Sequence, residues 1–153
     1  MKQKVRIDYP SHIRFGCLKC ALCCGNTQEK TRHIILLRKE AEEISKKIQQ
    51  PITKFSVPIE GKPPYVFEMK KKKDGKCIFL DNDRCSIYPE RPLVCRFYPF
   101  ELKPQQEQTF NFIPTEECPG INTGLELDLT FFKNLFNLAS SRLRENSENS
   151  LVN

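Results

Sequence analysis

The sequence predicts an α+β fold: a small irregular domain with cysteine-rich loops, two amphipathic helices and short β-hairpins. Three observations carry that reading. Two stretches repeat apolar residues at helical spacing, several short apolar runs end in Gly, Pro or Asp-Gly, and four of the eight cysteines fall within residues 17–24.

In chain order, residues 4–8 (KVRID) suit a short strand. Residues 17–25 (CLKCALCCG) are too irregular for a strand and read as a loop curled around something. A short strand is expected at 33–36. A helix follows at 37–49, where Leu37, Ala41, Ile44 and Ile48 share one face, Glu42–Lys46 and Glu43–Lys47 are favourable i,i+4 pairs, and Pro51 stops the run. The segments PYVFEMK and KCIFL flank Lys73–Asp74–Gly75, a tight-hairpin signal with lysines 70–73 at its solvated tip. The prolines of PERPLVC suit the start of a one- or two-turn helix carrying Cys95. PFELK and QTFNFIP form a second hairpin around Gln105–Gln108. A last helix is expected at 127–144, its core stripe running Leu125, Leu129, Phe132, Phe136, Ala139, Leu143. The length of 153 residues suits one domain, over 1–145, with a frayed polar tail at 146–153.

A chain this long buries roughly 70% of the surface its unfolded form exposes, so the cysteines are not needed as staples for a minimal core. The longest aliphatic run, Ile34–Leu37, is far too short to span a membrane, and the first 20 residues hold no apolar core of a secretion signal. The expectation is a cytoplasmic protein with no membrane partner. In that compartment thiols stay reduced, which favours metal binding over disulfides. Metal-bound cysteines are thiolates, so the net charge of +6 is partly what such a core needs around it and argues only weakly for nucleic acid.

The cysteines stand at 17, 20, 23, 24, 77, 85, 95 and 118. Cys17-x2-Cys20-x2-Cys23 has the spacing of the three-ligand loops of bacterial ferredoxins, where a remote Cys-Pro completes the cluster; Cys118 precedes Pro119 here. A zinc site more often draws two ligands from each of two separated knuckles. If Cys17, Cys20 and Cys23 face one centre, adjacent Cys24 points away and joins a second. The best partition is then Cys17/Cys20/Cys23/Cys118 and Cys24/Cys77/Cys85/Cys95, with a single four-ligand centre the alternative. A redox dithiol wants a βαβ pattern that the chain lacks, and a catalytic cysteine wants a histidine base, for which only His12 and His33 exist.

CLKCALCC followed by GKCIFLDNDRCSIYPERPLVCRFYPF resembles the YkgJ-type cysteine-cluster family, also called the CxxCxxCC family of zinc- or iron-chelating domains. The likeness covers about residues 13–120. It implies metal binding, with a four-iron iron–sulfur (4Fe-4S) cluster expected in an accessory or redox role and zinc in a binding module as the alternative. The family's larger relatives include flagellin lysine N-methylases, so part of an S-adenosylmethionine-dependent methylation system is a further alternative, although no Gly-rich strand–turn–helix for the methyl donor is present. A protein partner or protein substrate is expected ahead of nucleic acid. Arg91 and Arg96 are placed to stabilise an anionic centre from outside its ligands, the alternative for Arg91 being an ion pair with Glu90 or Glu101. Tyr88, Phe97, Tyr98 and Phe100 are expected to shield the site and to pack the core.

Overall fold

A computed structural model describes residues 4–18, 20, 23–28 and 30–152, the last six as backbone only. Lys19, Ala21 and Leu22 of the cysteine loop lie outside the described residues. The elements run β1 (Arg6–Asp8), β2 (Arg14–Phe15), β3 (Ile35–Leu36), α1 (Arg38–Ile48), a 3-10 turn (Ile52–Lys54), β4 (Ser56–Pro58), β5 (Phe67–Met69), β6 (Leu80–Asp81) and β7 (Arg84–Cys85). A second 3-10 turn (Tyr88–Glu90), α2 (Leu93–Phe97), β8 (Phe100–Pro104), β9 (Thr109–Pro114), β10 (Leu125–Glu126) and α3 (Leu129–Val152) follow. The class is α+β as expected, with three α-helices and four small sheets among the described residues.

The chain divides into two compact units. The first comprises residues 1–20 and 97–140. Its sheet has the order β1-β9-β8: the expected β8–β9 hairpin, with β1 added parallel to β9. Glu107 and Gln108 make the hairpin turn with positive φ. A smaller ladder pairs β2 with β10. Ile13, Phe100, Phe112, Phe132 and Leu135 form the buried core, in which Phe112 stacks with Phe97 and packs tilted against Phe132. Asp128 begins α3 by accepting the Phe131 N–H at 3.0 Å, the usual work of an N-cap aspartate.

The last helix departs from expectation at both ends. Leu125 is 83% exposed because it lies in β10, where helical spacing no longer applies, and Leu129, the first residue of α3, is also exposed. The buried stripe is Phe132, Leu135 and Ala139, Leu143 is exposed, and the backbone stays helical to Val152 rather than ending at 144.

The second unit comprises residues 21–96 and 141 onward. Helix α1 matches the expected span within a residue at each end. Its buried face holds Ala41 and Ile44, and Gln49, in the left-handed region, closes it ahead of Pro51. Leu37 at the N-cap has no side-chain acceptor to offer. Glu40 Oε1 reaches back to the Leu37 N–H instead, at 3.1 Å. Strands β3, β5 and β4 form a sheet against this helix's core cluster of Ile34, Leu36, Ala41, Ile44, Phe55 and Met69.

The Asp74–Gly75 turn forms, with Gly75 N–H bonded to Lys72 O and Lys72 N–H to Lys76 O. Its second arm is not a continuous strand: Cys77 makes an isolated bridge to Lys71, and β6 starts only at Leu80. The lysines of this turn are not simply solvated. Lys70 Nζ donates to Thr53 O at 2.6 Å, Lys71 Nζ to Asn26 Oδ1 at 2.8 Å, and Lys72 Nζ to Leu80 O.

Candidate metal centre

Four local structures present thiols within the second unit. Cys23 and Cys24 stand at the end of the cysteine loop. That loop is stapled to the lysine turn by Cys77 N–H to Cys24 O at 2.7 Å and Asn26 N–H to Gly75 O at 2.9 Å. The approach is so close that a Cβ on Gly25 would sit 2.5 Å from Gly75 O, and Gly25 has φ +130°, a region that glycine alone occupies easily. Cys77 follows on the opposite side of this contact.

Cys85 lies on β7, paired with Leu80 across a two-residue turn at Asn82–Asp83 in which both residues have positive φ. This is the geometry tight hairpins favour, and Asn and Asp tolerate it better than most side chains. Cys95 sits in the first turn of α2, its N–H bonded to Pro92 O at 3.0 Å.

These five thiols act on one another. Burial pushes Cys77, Cys85 and Cys95 up, and neighbouring thiolates add to it: Cys85 and Cys23 act on Cys77, Cys23 on Cys85, and Cys77, Cys23 and Cys85 on Cys95. Opposing this, backbone N–H groups of Phe79 and Ile87 point at the sulfurs of Cys77 and Cys85, and Lys72 and Arg91 supply positive charge. Amides and cations aimed at a thiol stabilise its thiolate, the form that binds metal.

The Sγ atoms of Cys23 and Cys24 are 3.8 Å apart. The hydrogen bond between them pushes Cys23 up and Cys24 down, so the pair retains one proton while Cys24 ionises first. The sequence reading had these side chains diverging. Here the two sulfurs stand side by side, and the charge of Cys23 acts on Cys77, Cys85 and Cys95.

Cys17, Cys20 and Cys118 belong to the first unit. Cys17 and Cys20 are exposed and Cys118 is half-buried. The segments carrying Cys17 and Cys118 run side by side: Gly16 N–H bonds to Gly120 O at 3.1 Å, and a Cβ on Gly120 would lie 2.3 Å from Gly16 O. No disulfide joins any of the eight cysteines. Among the described residues, no three His, Cys, Asp or Glu side chains already stand as a ligand set for one ion.

Arg91 faces Cys85 and Cys95 while stacking on the Tyr88 ring, 3.8 Å from its centroid. The ion pair of Glu90 is with Lys47 instead. Arg96 has its Nε bonded to Arg91 O at 2.9 Å and its Nη2 to Pro89 O at 2.5 Å, which closes the turn before α2. Phe97 and Phe100 pack into the aromatic core of the first unit as expected, whereas Tyr88 is exposed. Sequence reasoning missed Arg32, whose charge acts on Cys23, and Lys72, which acts on Cys77. Neither has a local motif; only the turn that brings Lys72 back over residues 77–80 could have pointed to it.

A family described as "CxxCxxCC: Putative zinc- or iron-chelating domain" matches residues 16–119. The chain belongs to the CxxCxxCC family. The match begins beside Cys17, ends beyond Cys118, and so contains all eight cysteines. Metal binding is therefore the family's chemistry, with zinc and iron both admitted. Two proteins of Methanocaldococcus jannaschii, both named only as uncharacterized, are similar to this CxxCxxCC chain. One is 28% identical over 128 residues, which is 80% of this chain and 66% of that protein; the other is 26% identical over 117 residues, which is 73% and 38%. The chain thus spans just under two thirds of the first relative and less than half of the second. No solved structure matches it. Among the described residues no helix is long and apolar enough to cross a membrane.

Proposed function

We propose that the protein holds a thiolate-ligated iron–sulfur cluster of the four-iron type in its second unit and serves an accessory or redox role for a protein partner. The mutual electrostatic influence of Cys23, Cys24, Cys77, Cys85 and Cys95 carries this reading. Five soft sulfur donors without a histidine among them suit iron–sulfur chemistry. The Phe79 and Ile87 amides, with Lys72, Arg91 and Arg32, supply the outer groups that hold such a centre and set its potential. When bound, a cluster would supply one-electron chemistry. The chain's own part is to gather and desolvate the thiols and to balance their charge.

One observation favours zinc instead. Four thiolates at about 2.3 Å from a tetrahedral zinc have sulfurs about 3.8 Å apart, and Cys23 and Cys24 stand at that spacing.

Metal and acid-labile sulfide analysis, with visible and EPR spectra on protein purified without oxygen, separates the two. Iron with labile sulfide and a broad absorption near ~400 nm is expected. Colourless protein with stoichiometric zinc would replace the cluster by a structural zinc site. Cys23→Ala should lower metal content as Cys77→Ala does; a Cys23→Ala protein that keeps its full metal would overturn the five-thiol grouping.

A further inference from the structure

The family match ends at residue 119, yet a residue beyond it is built into the frame of the thiol cluster. Glu40 of α1 is 4% exposed, and its two oxygens have three partners. Oε1 accepts the Leu37 N–H that begins α1, at 3.1 Å. Oε2 accepts the Leu93 N–H that begins α2, at 2.7 Å, and the Arg142 guanidinium at 2.9 Å. The same Arg142 nitrogen donates to Arg91 O at 3.2 Å. Residues 91–93 are therefore gripped from both sides, the Arg91 carbonyl by Arg142 and the Leu93 amide by Glu40. This stretch aims Arg91 at the thiols and delivers Cys95 two residues later.

We infer that the buried Glu40–Arg142 pair is a positioning device for Cys95 and Arg91, which makes Arg142 of α3 part of the metal-holding apparatus. The inference rests on the reading of the second unit as a metal centre. A buried carboxylate that loses its cation is strongly disfavoured, so the device holds only while Arg142 is docked. Helices α1 and α3 also share a surface pair, Lys39 Nζ to Glu145 Oε2 at 2.6 Å, which serves as the control.

Two readouts test it. In metal-free protein under reducing conditions, alkylation of Cys95 followed by peptide mass spectrometry reports how tightly α2 is held. Arg142→Met should raise that rate on the order of tenfold, the factor expected from losing a charge-assisted hydrogen bond. Arg142→Lys should recover part of it, and Lys39→Met should leave it unchanged. In protein loaded with Co(II), Arg142→Met should speed metal loss to a chelator by a similar factor. Should Arg142→Met fail to fold, Arg142→Lys and Glu40→Gln give the same comparison, with intermediate rates expected. Wild-type labelling rates in these variants would overturn the inference. Failure of wild-type protein to take up either Co(II) or, on anaerobic reconstitution with iron and sulfide, a cluster would overturn the metal reading, while the labelling rates would still decide whether the pair positions Cys95.

Discussion

The two units are built on different chemistry. The first has an aromatic core of Phe100, Phe112 and Phe132, complete without a thiol. In the second, Cys77 is one of the buried core residues, and Cys24, Cys85 and Cys95 pack against the same cluster. An aromatic core is stable because apolar area leaves water and rings interlock. A core lined by thiols that burial keeps protonated gains much less by itself and gains most when metal takes the place of those protons. The first unit should therefore be indifferent to metal and the second dependent on it.

Metal removal is the largest test of this contrast. Chelation should cut hydrogen-exchange protection at the amides of Cys77, Leu80 and Cys95 by about a hundredfold or more, about 2.7 kcal/mol. The Phe112 amide region in β9 should keep its protection. Equal loss in both regions would mean that the aromatic core also depends on the centre.

The reverse experiment removes the core of the first unit. Phe112 is 1% exposed and packs between Phe97 and Phe132. Phe112→Ala should destabilise the first unit by about 3–5 kcal/mol. Bound metal per chain, measured at a temperature where the variant remains folded, should be unchanged.

How much of this contrast could be read from the sequence depends on whether the deciding forces were local. Helix α1, the Asp74–Gly75 turn and the Cys95 helix follow from apolar spacing, turn chemistry and proline placement within a few residues, and they formed as expected. The failures are tertiary. Leu125 continues the helical stripe on paper but pairs as a strand with β2. Lys70, Lys71 and Lys72 look like a solvated tip, yet their acceptors are supplied from residues 53, 26 and 80. Glu40 looks like one of several surface acids on α1 until the Leu93 amide and Arg142 close over it. The cysteines were legible as a set because their spacing is unusual, but the close backbone approach of Gly25 to Gly75, which brings Cys24 and Cys77 together, is not encoded in that spacing.

Paired glycine substitutions sharpen the comparison at smaller scale. Gly25→Ala puts a Cβ 2.5 Å from Gly75 O in the second unit, and Gly120→Ala puts one 2.3 Å from Gly16 O in the first. Both contacts are backbone on backbone, so neither can be relieved by a side-chain rotation. Each change should cost about 1–3 kcal/mol. Gly25→Ala should in addition weaken metal retention, because it pries Cys24 from Cys77. Gly61→Ala, with positive φ but no atom within 4 Å, should cost only the backbone strain and leave metal retention alone.

The smallest effect expected is electrostatic. Lys72 lies over residues 77–80 with its ammonium on Leu80 O, and its charge favours the Cys77 thiolate. Lys72→Met keeps most of the apolar stem and removes the charge, so the fold should persist while an anionic centre is left less compensated. Metal affinity should fall by only a few-fold, about 1 kcal/mol, and the loss should shrink as salt screens the charge. Lys73→Met, at the exposed neighbouring position, should do nothing measurable. A Lys72→Met protein with unchanged affinity at low salt would assign this lysine to capping Leu80 alone. The second unit's dependence on metal would then rest on the packing of its thiols rather than on the charges placed around them.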